Sequence, residues 1–450
     1  MSRVSDSSSL PLSELILATA RNVQAVMAGQ SLTESLAQTP ADRRAAAQAL
    51  ASHSMRQLGL AQAIRSHMVS RTPSDALFDA ILLVSISLLE TAMASQAAVA
   101  GERTVPAHWP VYDAHTVVNQ AVNAVGSQRR LQPFKALLNG VLRRYGRERD
   151  KIRSAVLTDP QARWNYPNWW IRRLRKAYPD AWQAVLEAAN VPAPMMLRVN
   201  KRKISPGAFL ETLKGVGLAG RCIDDAAVLL ETPRPVEQVP GFKEGFFSVQ
   251  DAAAQQAALL LDAQPGMRVL DACAAPGGKT AHILERADVS LCALDVDEKR
   301  LARVGENLSR LSLMSDKVSL QCANAASLNA WWDGLHFDCV LADVPCTASG
   351  VVRRHPDIRW LRREADIART VALQASILDA LWTTVKPGGK MLYVTCSVFP
   401  QEGELQAKHF QTTHSNAELL PSPGQILPAG YDGTKGLHDG FFFALFAKRV

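Results

Sequence analysis

Two cysteines stand at the ends of apolar runs. Cys346 lies in "DVPCTASG" (343–350) and Cys396 in "VTCS" (394–397). The proline before Cys346 fixes a turn that can lift its thiol out of the strand line. Asp343 opens the same motif. A thiolate is a nucleophile, and a carboxyl or a second thiol can carry a proton. The set therefore suits covalent catalysis with acid and base steps. A free thiol titrates near ~8.5, so the attacking one needs cationic or dipolar help. Lys279 and neighbouring helix ends are the candidate sources. The competing reading is two inert buried cysteines and a structural aspartate.

A second motif, "DACAAPGGKT" (271–280), follows the apolar run "RVLDA" and opens a helical pattern. Its end resembles a P-loop, but that loop needs glycine where Cys273 stands. Ala274, Ala275, Gly277 and Gly278 are small residues on either side of Pro276. They let a ligand lie close to the backbone at a helix N-terminus, whose positive end suits a carboxylate. Asp295 ends the next apolar run and can accept from two ribose hydroxyls. An amino-acid carboxylate joined to an adenosine ribose describes S-adenosylmethionine, the predicted cofactor.

With a methyl sulfonium as donor, the thiols acquire a specific job. Cytosine C5 is a poor nucleophile. A thiolate added at C6 makes C5 enamine-like, provided an acid near N3 absorbs the developing charge. A base then removes the C5 hydrogen and the thiolate leaves. Asp343, Cys346 and Cys396 are candidates for these parts, with Lys279 able to orient or charge-balance Asp343. The chemistry alone does not say which thiol attacks.

These residues need a frame to bring them together. Strand candidates are 268–272, 291–295, 318–322, 338–343, 390–396 and 441–447, with helical segments between most of them. This alternation predicts an open, mainly parallel sheet with helices on both faces, binding ligand beyond the strands' carboxyl ends. Asp271, Asp295, Asp343 and Cys396 fall at such ends, so one crevice is expected. Residues 1–150 read as helical, with apolar residues at helical spacing in "LILATARNVQAVM" and "ALFDAILLVSISLLE". Thr39-Pro40 reads as a helix cap followed by a first-turn proline. A small basic α/β region is expected over 151–245, and the catalytic sheet over 246–450. The fold class is thus multidomain, α then α/β.

The 450 residues carry a formal charge of +8. From Arg129 to Lys176 fourteen basic residues face three acidic ones, with Tyr145, Trp164, Tyr166, Trp169, Trp170 and Tyr178 interleaved. Basic groups bind phosphate and flat rings stack on unpaired bases. "RVNKRK" (198–203) and "RRHPDIRWLRR" (353–363) add to this, and together they point to an anionic polymer. The seven cysteines are odd in number and lack close pairs, which argues against a disulfide framework. No metal-ligand spacing is present. Cys292, Cys322 and Cys339 read as small core residues. No apolar run approaches a membrane span, Ala80 to Leu89 reads as a buried helix, and "MSRVSDSSSLPLS" lacks a signal-peptide core. A cytosolic protein with no membrane role and no obligate protein partner is expected.

The chain resembles the bacterial 16S ribosomal RNA cytosine-5 methyltransferase B family, the Sun or Fmu proteins. The resemblance rests on "FSVQDAAAQ", "DACAAPGGKT", "ALDVDEKRL", "DVPCTASGVVRRHPDIRW", "VTCS" and "DGFFFALF", with "RVN" before them. "LLNGVLRR" (137–144) resembles the helical NusB-type RNA-binding domain that precedes the Rossmann-like methyltransferase domain in this family. The resemblance implies that Cys396 attacks C6, that Cys346 assists the final elimination, and that Asp343 holds cytosine N3. It also implies that Cys273 to Lys279, Asp295 and Asp343 line the cofactor site. Asn324 departs from the aspartate usual at that position, near the adenine end; its carbonyl still accepts a hydrogen bond but the charge is lost. The implied partner is 16S rRNA, naked or early in assembly, with the target base out of its stack. Three rivals stand beside this reading. They are a methyltransferase of transfer or other RNA, a catalytically silent RNA-binding assembly or antitermination factor, and a P-loop ATPase.

Overall fold

The computed structural model describes residues 10–99, 109–428 and 437–450. The polar opening stretch read from the sequence lies mainly outside them. The chain forms two compact units, one of 1–176, 189–192 and 352–363, the other of 177–188, 193–351 and 364–450.

The first unit is helical. Its hub is the helix Ala76–Val99, packed by helices Leu12–Met27, Leu58–Met68, Ala114–Gly126 and Lys135–Val156. The hub is mostly apolar around its circumference, as a largely buried helix must be. Ser85, Ser87 and Thr91 return their hydroxyls to carbonyls one turn back, so they add no unsatisfied polar group. This is the buried helix expected from the sequence; by length and hydropathy alone it would also pass as a membrane span. Glu90, on the same helix, is buried and accepts from Tyr145 Oη at 2.5 Å, Arg149 Nε at 2.5 Å and Arg153 Nε at 3.1 Å. Pro40 itself is the residue before helix Ala41–Arg56, and Thr39 bonds Asn22 instead of capping.

Residues 352–363 complete this unit. Asp357 accepts the Leu32 N–H at 2.9 Å, at the start of helix Leu32–Ala37. The Arg359 guanidinium is fully buried, donates to the Asn165 and Ala189 carbonyls and to Asn190, and lies 4.0 Å from the Tyr166 ring centroid. Trp360 Nε1 donates to the Met55 carbonyl at 2.8 Å. Arg353 is buried as well. These two arginines therefore add nothing to an exposed basic surface, against the expectation from "RRHPDIRWLRR". Tyr145, Tyr166 and Trp170 are likewise core residues, unable to stack on a base. Arg129, Arg130, Lys135, Arg143, Arg144, Arg147 and Lys151 remain exposed.

The second unit holds two sheets. Strands β1 (Met195–Val199), β2 (Gly220–Cys222), β3 (Ala227–Leu230) and β4 (Phe247–Val249) pair antiparallel in the order β2-β3-β1-β4. The larger sheet contains β5 (Arg268–Ala272), β6 (Ser290–Asp295), β7 (Val318–Cys322), β8 (Phe337–Asp343), β9 (Val385–Thr395), β10 (Ala417–Ile426) and β11 (Phe441–Lys448). Its order is β10-β11-β9-β8-β5-β6-β7. The five strands β5 to β9 run parallel, and β11 and β10 add antiparallel. This is a Rossmann-like mixed sheet. The strand order reverses at β5, between β6 and β8, and a crevice opens at such a point beyond the carboxyl ends. Apolar cores cover both faces. Cys292 and Cys339 belong to them, as expected. Cys322 does not: it ends the edge strand β7 and is exposed.

Candidate active site

The loop after β5 is held by the strand and helix that follow it. Ala274 N–H donates to the Leu294 carbonyl at 2.7 Å, and Ala275 N–H to Asp295 Oδ2 at 3.0 Å. Asp297 caps the helix Glu298–Arg310 through the Lys299 and Arg300 N–H groups. That helix returns two side chains to the loop, Arg300 to the Ala275 carbonyl and Asn307 to the Pro276 carbonyl. Gly277 has φ +91°, and a Cβ there would come within 2.9 Å of Val304. Glycine is thus required both for the left-handed turn and for close packing of the helix. The Ala275–Pro276 peptide is cis and Cys273 has φ +70°. Helix Gly278–Arg286 then starts with no side chain capping it.

This loop faces the ends of β8 and β9. Lys279 Nζ donates to Asp343 Oδ2 at 2.6 Å, and it lies 5.5 Å from the Phe441 ring centroid. Burial works against the Lys279 ammonium. The attraction of Asp343 and the hydrogen bond to it, with smaller help from Cys396 and Asp271, more than offset burial and raise its pKa. Asp271 is fully buried; Thr280 Oγ1 donates to its Oδ2 at 2.6 Å, while Oδ1 has no partner. Burial, reinforced by Asp343 and Asp295 and opposed by Thr280 and Lys279, pushes this carboxyl up to about 7. Burial and the same carboxylates push the Cys273 thiol up to about 12, so it is no nucleophile at neutral pH.

Cys346 and Cys396 meet. Their sulfurs lie 3.4 Å apart, both side chains being partly buried. Contact with the Cys396 sulfur first, then burial, holds the Cys346 thiol well above the ordinary range. The Cys396 carbonyl accepts the Gly350 N–H at 2.8 Å, which ties the two motifs through the backbone as well.

The residues singled out from the sequence thus gather at one edge of the sheet. Asp295 ends β6 with both carboxylate oxygens on backbone N–H groups, from Ala275 and Asp297. The carboxylate is nearly enclosed, with Arg300 Nη1 3.7 Å from Oδ1, and each oxygen makes only one backbone hydrogen bond. Asn324 lies two residues past β7, exposed, its Oδ1 accepting the Ala326 N–H at 3.0 Å. Aspartate would form the same turn, so the difference at this position is charge, not shape. Cys396 lies one residue past β9 rather than inside it. Among the described residues no cluster of His, Cys, Asp and Glu could hold a metal.

Arg198 and Glu402 are two further departures from what the sequence suggests. Arg198 of "RVNKRK" is not on the surface: it pairs with Glu285 at 2.8 Å through Nε and again through Nη2, donates to Gln250, and reaches the Gly278 carbonyl at 2.7 Å. It braces the start of the loop's helix from β1. Glu402 was not singled out at all, because a glutamate in "VFPQEGE" carries no spacing signal. It is buried beneath both cysteine motifs.

A family model described as 16S rRNA methyltransferase RsmB/F matches residues 258–447. A second, described as an RsmF/B-like ferredoxin-like domain, matches 166–237. Ribosomal RNA small subunit methyltransferase B of Vibrio cholerae is 45% identical over 345 residues, covering 75% of this chain and 77% of that protein. The protein of the same name from Escherichia coli O6:H1 is 43% identical over 344 residues, covering 74% and 78%. A solved structure of a methyltransferase homolog from Pyrococcus horikoshii superimposes with a TM-score of 0.54 at 29% identity, covering 64% of this chain and 97% of that one. On this identity and coverage, the chain belongs to the ribosomal RNA small subunit methyltransferase B family.

Proposed function

We propose that the protein methylates C5 of a cytosine in 16S ribosomal RNA, with S-adenosylmethionine as donor and a transient bond from Cys396 to C6. The observation that carries this reading is the meeting of the Cys346 and Cys396 sulfurs beside the Lys279–Asp343 pair. The family's curated members, named for small-subunit ribosomal RNA, support the substrate.

The residues at the loop fit the donor. The uncapped start of helix Gly278–Arg286 suits its carboxylate and Asp295 its ribose hydroxyls, with Asn324 and Asp343 further along the same edge. When bound, S-adenosylmethionine supplies an electrophilic methyl carbon.

The protein's own groups do the rest. Cys396 adds as thiolate to C6. Lys279 Nζ holds a proton 2.6 Å from Asp343 Oδ2, and Asp343 passes it toward N3 as charge builds on the ring. Once the Cys396 sulfur is bonded to carbon it no longer carries charge. Its hydrogen bond with the Cys346 thiol, the first cause of the raised Cys346 pKa, is then weakened, while burial remains. Cys346 can ionise at that stage, take the proton from C5, and let Cys396 leave.

The basic face of the helical unit is assigned to holding the RNA, in the cytosol. Bisulfite sequencing of 16S rRNA from a deletion strain tests the target: loss of one methylated cytosine is expected, and an unchanged pattern removes the assignment. Transfer of label from S-adenosylmethionine to that RNA in vitro distinguishes an enzyme from a silent RNA-binding factor.

A further inference from the structure

Glu402 is fully buried, and among the described residues no cation pairs with its carboxylate. Neutral donors surround it instead. Oε1 accepts from the Thr347 N–H at 2.8 Å, Thr370 Oγ1 at 2.7 Å and Gln374 Nε2 at 3.3 Å. Oε2 accepts from Thr347 Oγ1 at 2.5 Å and Ser397 Oγ at 2.7 Å. The Glu402 carbonyl in turn accepts from Tyr393 Oη at 2.6 Å and Thr395 Oγ1 at 3.1 Å, which fixes the residue to the end of β9.

Thr347 follows Cys346 in the chain and Ser397 follows Cys396. One carboxylate therefore grips the residue after each thiol, across a gap of 50 positions in sequence. Gln374 adds a third hold through the Pro345 carbonyl at 2.9 Å. Ser349 and Ser397 close the ring, with hydroxyls 2.9 Å apart. A buried carboxylate is costly to desolvate, and apolar packing would join two loops without that cost. What the carboxylate adds is direction: five hydrogen bonds fix where each loop lies.

We propose that Glu402 is a positioning residue that sets the separation of the Cys346 and Cys396 sulfurs. It thereby couples formation of the C6 bond to its resolution. The inference rests on the function proposed above. Glu402 touches neither thiol and is not itself catalytic.

The test compares Glu402→Ala, Glu402→Gln and Ser397→Ala by two readouts: turnover on 16S rRNA, and the fraction of protein trapped covalently on RNA after denaturation. Glutamine can keep the clamp. Its carbonyl takes the Oε1 donors, and its NH2 donates to the two hydroxyls, which reverse. Glu402→Gln should therefore retain activity within about fivefold, since the hydrogen bonds are preserved. Glu402→Ala should lose about a hundredfold in kcat, the scale of a misplacement near 1 Å, with cofactor affinity unchanged and trapped protein increased. Ser397→Ala removes the Glu402 bond on the Cys396 side and the Ser349 contact, leaves Glu402 on Thr347, and guards against misfolding of the alanine variant. A smaller loss, about tenfold, is expected from it, because Glu402 keeps its four other hydrogen bonds. Normal turnover in either alanine variant overturns the clamp, and so does a glutamine variant as inactive as alanine. A wild-type protein that makes no 5-methylcytosine would instead overturn the proposed function, so the two failures are distinct.

Discussion

The sulfurs of Cys346 and Cys396 lie 3.4 Å apart on loops that follow neighbouring parallel strands, β8 and β9. The hydrogen bond to the Cys396 sulfur, then burial, raises the Cys346 pKa, and the proposed mechanism gives the two thiols unequal roles. Cys396→Ala is expected to abolish methylation. Cys346→Ala should still form the bond to C6 but lack the base that resolves it, leaving a denaturation-resistant complex with RNA. A shifted band in electrophoresis reads this directly, and the reverse pattern would exchange the roles.

Asp271 gives a pH signature in stability. Its folded pKa is raised to about 7 from 3.8. Between those values the native state keeps a proton that the unfolded chain has lost, so stability falls as pH rises through the window and levels off above it. Asp271→Asn keeps the shape, can still accept from Thr280, and does not titrate. Its stability relative to wild type should therefore improve from pH 4 to pH 7 by a few kcal/mol, at roughly 1.4 kcal/mol per pH step of one. Denaturant melts at a series of pH values check this; a flat difference would show that Asp271 ionises freely.

Arg198 joins the small sheet to the cofactor loop through the Gly278 carbonyl and Glu285. Lysine retains the charge but not the fork that makes two bonds to Glu285 while reaching Gly278. Arg198→Lys should lower the melting temperature. It should also weaken S-adenosylmethionine binding about tenfold, since a charge-assisted hydrogen bond is worth about 1.5–3 kcal/mol. Calorimetric titration with the cofactor decides it, and wild-type affinity would separate the brace from the site.

The basic residues divide by burial. Arg143, Arg147 and Lys151 are exposed at four-residue spacing on the helix Lys135–Val156. Changing all three to glutamine should weaken RNA binding and flatten its salt dependence, by roughly 0.7 to 0.9 in slope for each phosphate no longer neutralised. Arg359→Met should do the opposite, lowering thermal stability while leaving the salt slope alone. Equal slopes for the triple variant and wild type would place the RNA elsewhere.

The six strands read from the sequence all exist, because most are dense apolar runs buried in the sheet, five parallel and the last, β11, antiparallel. Strand β10 escaped notice. "AELLPSPGQI" holds two prolines and exposed residues, which only an edge strand tolerates, and an edge is a property of the finished sheet. The site was legible where spacing and residue type carry chemistry, as at Cys346, Asp343 and the loop from Cys273 to Lys279. It was not legible where burial decides the role. Arg198, Arg353 and Arg359 look like phosphate ligands in a string of letters, but all three are buried, and the guanidiniums of Arg198 and Arg359 are tied to several acceptors. Glu402 looked like any surface acid.

The chain crosses between its two compact units several times, and residues 352–363 follow directly on the Cys346 motif while packing with the helices. No single cut in the gene yields two whole modules. A fragment beginning near residue 246 would carry Arg359 and Trp360 without Asn165, Asn190 and Met55 to receive them. The front alone would lack the Asp357 carboxylate at Leu32. Shuffling by recombination at a domain border would break both halves, so the helical part and the sheet are bound to be inherited as one piece.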